Sequence, residues 1–261
     1  MFAFAVLLAL GATVSAYPRT SLPAYLNNPK IDTNGSWRIV GGENAAPGEF
    51  PFIVSLRGSA NNHFCGGSII NPRSVLTAAH CLIGASPSQV FAVAGTNTLN
   101  SGGVTIGSQS LIINPDYDDV TIANDIGVVL LQGDFAFSNL IAPVELSNTN
   151  VGSVPATLSG WGVTGVDEIV APNDLQRLST QTIENFMCQM FWGSDVTASQ
   201  ICIMSPIGQG ACFGDSGGPL IDSNSRVQLG TVSRGYPCAV GFPDIFARVS
   251  AFNSWINSVS A

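Results

Sequence analysis

The chain has 261 residues, 46% of them apolar and only 10% charged, with 28 glycines and 15 prolines, which excludes a disordered polymer and leaves room for one large all-β domain or two small ones around a substantial core. Nine basic against seventeen acidic residues give a formal charge of −8. The electrostatic footprint of a protein that binds nucleic acid or anionic lipid is therefore missing.

Residues 1–16, MFAFAVLLALGATVSA, hold one apolar run from Phe2 to Leu10 and then small residues, with Val14 and Ala16 spaced like a signal-peptidase site. The run is too short to cross a bilayer. No later stretch is long and apolar enough either, so the expectation is a secreted, extracellular protein with no membrane partner. Residues 17–38 carry Pro18, Pro23, Pro29 and the single lysine, Lys30, and end in Trp37-Arg38; they read as a flexible pro-segment. At Ile39-Val40-Gly41-Gly42 the composition turns apolar and glycine-rich, and residues 39–261 contain six arginines and no lysine.

Beyond residue 50, short apolar or alternating runs broken by turn residues predict strands. They fall at 51–57, 66–77, 90–94, 104–113, 126–131, 154–159, 178–183, 201–204, 227–234 and 245–249. Asp222-Ser223-Asn224-Ser225 is a turn signal that makes 219–234 a hairpin. Only the C-terminus has helical spacing, with Val249, Phe252, Trp255, Ile256 and Val259 on one stripe. The six cysteines at 65, 81, 188, 202, 212 and 238 of an exported chain predict three disulfides, with connectivity open among fifteen arrangements. None forms a Cys-x-x-Cys pair, so zinc is not expected.

The chemistry is constrained first by histidine supply. Amide hydrolysis by serine needs a hydroxyl, a base, a carboxylate that orients the base, and donors for the oxyanion. The two histidines are His63 and His80. None follows residue 80, which rules out the order serine, acid, histidine of α/β-hydrolases. The order acid, histidine, serine would rest on Glu43 or Glu49, neither in a suitable setting. What remains is histidine, acid, serine. His80 lies in TAAHC, Asp125 opens the apolar DIGVVLL, and Ser216 lies in GDSGGP, where Gly214, Gly217 and Gly218 permit backbone shapes that other residues resist.

IVGG, TAAHC, DIGVVLL and GDSGGP, taken together from Ile39 almost to Ala261, resemble the trypsin and chymotrypsin serine proteases. The resemblance implies an all-β fold of two six-stranded antiparallel β-barrels with a C-terminal helix, and a domain plan of signal peptide 1–16, pro-segment 17–38 and protease domain 39–261. It implies Ser216 as nucleophile, His80 as general base and then acid, and Asp125 as its buried orienter, with the N–H groups of Gly214 and Ser216 as oxyanion hole. It pairs Cys65 with Cys81, Cys188 with Cys202, and Cys212 with Cys238. Cleavage between Arg38 and Ile39 by a trypsin-like activating protease would free an ammonium that inserts beside Asp215, and His63 with Ser55 would partner Asp215 beforehand. Protein or peptide substrates, protein protease inhibitors and a monomeric state are the expected partners and assembly. No cofactor or metal is expected, since residues 92–113 offer no carboxylate for a calcium loop.

The sequence also departs from the family. Gly210 stands where trypsins place the aspartate that receives Lys or Arg, and Gly235 leaves the pocket wall open. Asp244 falls on the segment lining the back of the pocket, as in the brachyurins, collagenolytic digestive proteases of arthropods. Cleavage mainly after large apolar or aromatic residues, with secondary cleavage after Arg and Lys, is the expectation. In the edge strand that holds extended substrates, Ser233-Arg234-Gly235 has Arg234 where an aromatic residue is usual. The one glycosylation sequon, Asn34-Gly35-Ser36, lies in the pro-segment. The alternative function is an inactive homologue acting as a secreted binding protein.

Overall fold

The computed structural model describes residues 39–165, 170–236 and 238–260, so the expected signal peptide and pro-segment, with Arg38, lie outside the described residues. After a two-residue strand β1 (Glu43–Asn44), the first barrel comprises β2 (Ile53–Arg57), β3 (His63–Asn71), β4 (Ser74–Thr77), β5 (Phe91–Ala94), β6 (Val104–Ile113) and β7 (Gly127–Leu131). These close in the order β2-β3-β4-β7-β6-β5, all antiparallel. The second comprises β8 (Pro155–Gly160), β9 (Gln176–Ile183), β10 (Gln200–Ile203), β11 (Pro219–Asp222), β12 (Gln228–Arg234) and β13 (Asp244–Arg248). Its order is β9-β10-β13-β12-β11-β8, and the β8–β9 pairing closes it, with β1 added outside against β9.

Closure leaves no long unpaired edge, and each barrel is filled from within by its strands. Val54, Leu56, Ile69, Val75, Val129 and Leu131 fill the first, and Leu158, Leu178, Ile201, Ile203, Leu220 and Phe246 the second. Each such side chain contributes about 1.5–3 kcal/mol of burial. Phe50, Phe52, Trp161, Leu175 and Ile221 form the seam between them. Among the described residues two α-helices complete the fold, α1 (Asn185–Trp192) between β9 and β10, and α2 (Val249–Val259) at the end. The predicted stripe of α2 is the face it buries: Val249, Phe252 and Ile256 pack on Leu76 and Val128 of the first barrel, ending the second barrel's chain against the first.

The sequence reading missed β1 and α1, and it took 66–77 as one run. The chain turns at Pro72, which has no N–H for a ladder, and the Arg73 N–H is donated instead to Asn71 Oδ1 at 2.9 Å. All three disulfides have the pairing that the resemblance implied, Cys65–Cys81, Cys188–Cys202 and Cys212–Cys238.

Candidate active site

His80 sits on a short 3₁₀ turn, Ala79–Cys81, directly after β4. Ala78 and Ala79 are fully buried and Cys81 is bonded to Cys65 of β3, so the turn is fixed on three sides. The sulfurs of Cys65 and Cys81 lie close to His80 but are joined in a disulfide, which leaves no thiolate for a metal. Asp125 precedes β7 and is 1% exposed. Its Oδ1 accepts the His80 backbone N–H at 2.9 Å, and its Oδ2 accepts His80 Nδ1–H at 2.7 Å and the Ser233 hydroxyl at 2.6 Å. An ionised carboxylate only accepts. His80 must therefore carry its proton on Nδ1, leaving Nε2 with a free lone pair. Ser233, taken from sequence only as a substrate-strand residue, is thus also the third donor to Asp125; it lies 108 positions away.

Ser216 belongs to the turn that leads into β11. That turn comes from the second barrel and lies on the first: the Gly66 N–H is donated to the Ser216 carbonyl at 2.8 Å. A Cβ at Gly217 would stand 2.1 Å from Thr77 Oγ1 and 2.6 Å from the Gly66 carbonyl, and φ there is +78°, so only glycine fits. The N–H groups of Asp215, Gly217 and Gly218 are donated to Cys212, Val232 and Asp215 carbonyls. Among the described residues those of Gly214 and Ser216 have no such acceptor. Two free amides two positions apart, one of them the serine's own, can receive an oxyanion. Ser216 Oγ is not hydrogen-bonded to His80 Nε2, a looseness common in such sites before substrate tightens them.

Beside Ser216 a cavity of about 250 Å³ is lined by Ala211, Val232, Ser233, Gly235 and Asp244. Asp244 lies at its base, 6% exposed, with Oδ2 accepting the Ala211 N–H at 2.9 Å. A Cβ at Gly210 would meet Asp244 Oδ2 at 2.8 Å, and one at Gly235 would meet Oδ1 at 2.5 Å. The three residues singled out from sequence thus converge, and the carboxylate occupies the space beside the two glycines. Burial pushes its carboxyl up to about 7, against the pull of the Ala211 bond and with a further push from Asp215.

Asp215 is fully buried and points the other way, into space left by Gly160 and Gly162, accepting the N–H groups of Gly162 at 2.8 Å and Cys212 at 3.0 Å. Burial outweighs these bonds and raises its carboxyl to about 7. Ile39 is fully buried, in the cluster with Leu158, Ile203 and Leu220. Ser55 and His63 do meet, at 2.9 Å, yet they turn to Gly214 rather than to the Asp215 carboxylate. Arg57 Nε donates to Ser55 Oγ at 3.0 Å, so the hydroxyl proton goes to His63 Nδ1 and His63 Nε2–H goes to the Gly214 carbonyl at 2.9 Å. Burial lowers His63 to about 4, which keeps it neutral in that role.

The family model described as Trypsin matches residues 39–256. Chymotrypsin-2 of Vespa crabro is 45% identical over 221 residues, 84% of this chain and 98% of its own length. Trypsin delta and Trypsin gamma of Drosophila melanogaster are each 36% identical over 259 residues, 97% of this chain and 96% of theirs. Double barrel, three disulfides and family match agree, and the chain belongs to the trypsin family of serine endopeptidases.

Proposed function

We propose that this chain is a secreted zymogen that, once cut between Arg38 and Ile39 by a trypsin-like protease, hydrolyses proteins through His80, Asp125 and Ser216, mainly after large apolar and aromatic residues. The observation that carries the reading is the fixed Asp125–His80 pair, which Ser233 ties to the cavity that Ser216 lines. Ser216 Oγ attacks the scissile carbonyl as its proton passes to His80 Nε2. The carbonyl oxygen, now an oxyanion, is received by the Gly214 and Ser216 amides, and Asp125 stabilises the imidazolium. His80 then protonates the leaving amine, and water repeats the sequence on the acyl-enzyme. A monomer open to protein inhibitors in the same cleft, with a digestive role, is the assembly and setting we assign. An organophosphate should label Ser216 stoichiometrically in cleaved protein; a folded, cleaved chain that takes no label would instead be the secreted binding homologue.

For specificity we propose that Asp244 adds secondary cleavage after Arg and Lys to a pocket shaped for Phe, Tyr and Leu, as in brachyurins. The position of its carboxylate at the base of an otherwise open cavity supports this. With its carboxyl raised to about 7, Asp244 is neutral below that pH and charged above it. A cationic side chain favours the charged form, so KM for Arg and Lys substrates should fall as pH rises through about 7, whereas KM for a Phe substrate should not. Asp244→Gly should abolish this difference and remove basic cleavage selectively. Equal loss of both substrate classes in that variant would leave a plain chymotrypsin-like pocket as the better description.

A further inference from the structure

Strand β12 is enclosed on both edges only as far as Val232. On one side β11 reaches Thr231, and bonds from Gly217 N–H to the Val232 carbonyl and from Val232 N–H to the Gly218 carbonyl end the ladder. No described strand continues that edge along Ser233–Gly235, while β13 holds the opposite edge through Arg234. An extended peptide can add there as a strand. With its P1 side chain in the cavity and P1 opposite Ser233, P2 stands opposite Arg234, and P4 shares its face because side chains alternate.

Arg234 is half-buried on that face. Its guanidinium carbon lies 5.4 Å from the ring centre of Trp192, and Trp192 is itself fixed by donating Nε1–H to the Pro243 carbonyl at 2.9 Å. The stacking aims the group but supplies no acceptor. Nε and Nη2 are enclosed with no hydrogen-bond partner, and no described carboxylate reaches the guanidinium. An enclosed cationic donor without an acceptor is costly. It is also a poor surface for the apolar side chains that an aromatic residue would take at this place.

Resting on the peptidase reading, we infer that Arg234 selects substrates with an acidic side chain at P2 or P4. A carboxylate arriving with the substrate would meet the guanidinium at Nη1, the nitrogen that is not enclosed, and the ion pair would form in partly excluded solvent, where screening is weaker than at an open surface.

The test uses cleaved wild-type enzyme and peptide p-nitroanilides with Phe at P1 that differ only by Glu or Gln at P2, and separately at P4. The Glu peptide should be preferred in kcat/KM by roughly fivefold at one of these positions, and the preference should shrink in high salt. Arg234→Gln should bring the ratio to about one, and Arg234→Lys should keep part of it. Each enzyme is its own reference, so a change in overall rate cancels, and the salt series on wild type stands even if a variant fails to fold. Equal turnover of Glu and Gln peptides by wild type at both positions overturns the inference alone, as does a preference that survives in Arg234→Gln. Failure of the cleaved wild type to turn over any of these peptides overturns the peptidase reading and the inference with it.

Discussion

Asp125→Asn is expected to lower kcat by about 10⁴, the size of the same change in trypsin itself, in a protein that still folds with its three disulfides. The reason is proton placement. Both carboxylate oxygens of Asp125 accept hydrogen bonds, Oδ1 from the His80 backbone and Oδ2 from His80 Nδ1 and Ser233. An amide has one oxygen and one NH₂. If its oxygen stays on the backbone N–H, its NH₂ faces Nδ1 and forces the His80 proton to Nε2, where it blocks uptake of the proton from Ser216. The opposite flip sets NH₂ against the backbone N–H of the turn that carries His80. In the first orientation the tautomer switch restores every donor–acceptor match and stability should change little, whereas the second opposes two buried donors and should cost about 1–3 kcal/mol. Steady-state kinetics on a Phe ester and a denaturation curve separate the two effects. An Asn variant within tenfold of wild-type kcat would remove Asp125 from the mechanism.

Much of this arrangement was legible in the sequence because it depends on local features. The run 104–113 became β6 with the same bounds, since its apolar and β-branched residues need only two neighbours to pair with. Asp244 is placed in the pocket through the family resemblance, by alignment on from Cys238, and in the structure the Cys212–Cys238 disulfide and the bond from Ala211 N–H to Asp244 hold the two segments together. Helix α1 was not legible. It has eight residues, of which only Cys188 is buried, while Phe186, Met187 and Met190 are exposed, so no apolar stripe marks it. The Ser233–Asp125 bond joins the two barrels, and no spacing rule connects residues brought together only by barrel packing. The proton direction along Ser55, His63 and Gly214 follows from Arg57, one of six scattered arginines within residues 39–261.

Arg38→Gln is expected to leave a folded precursor that trypsin treatment cannot switch on, with activity lower by at least two to three orders of magnitude, the cost of an oxyanion hole that does not hold. In the structure Ile39 is already buried and the amides of Gly214 and Ser216 are already free. What the continuous chain cannot supply is charge, because the Ile39 nitrogen is there a peptide amide. Asp215 is fully buried on two backbone amides alone, with its carboxyl raised to about 7. A carboxyl raised on folding penalises the folded state increasingly as pH climbs from its unfolded value, about 4, through its folded one. At pH 8 the uncut chain therefore bears most of that penalty, and the turn 214–216 is held against it. An ammonium released at Ile39 and seated beside Asp215 reverses the sign: the carboxyl pKa drops, and the pair adds stability that persists until the amine, roughly 8 when free and higher when paired, loses its proton. Cleaved wild type should thus be both active and more heat-stable than precursor at neutral pH, and should lose both properties together in alkali. Arg38→Lys, which trypsin still cuts, should behave as wild type. Full activity from Arg38→Gln with the 38–39 bond intact, verified by N-terminal sequencing, would show that the free ammonium is dispensable and that Asp215 holds the oxyanion loop without it.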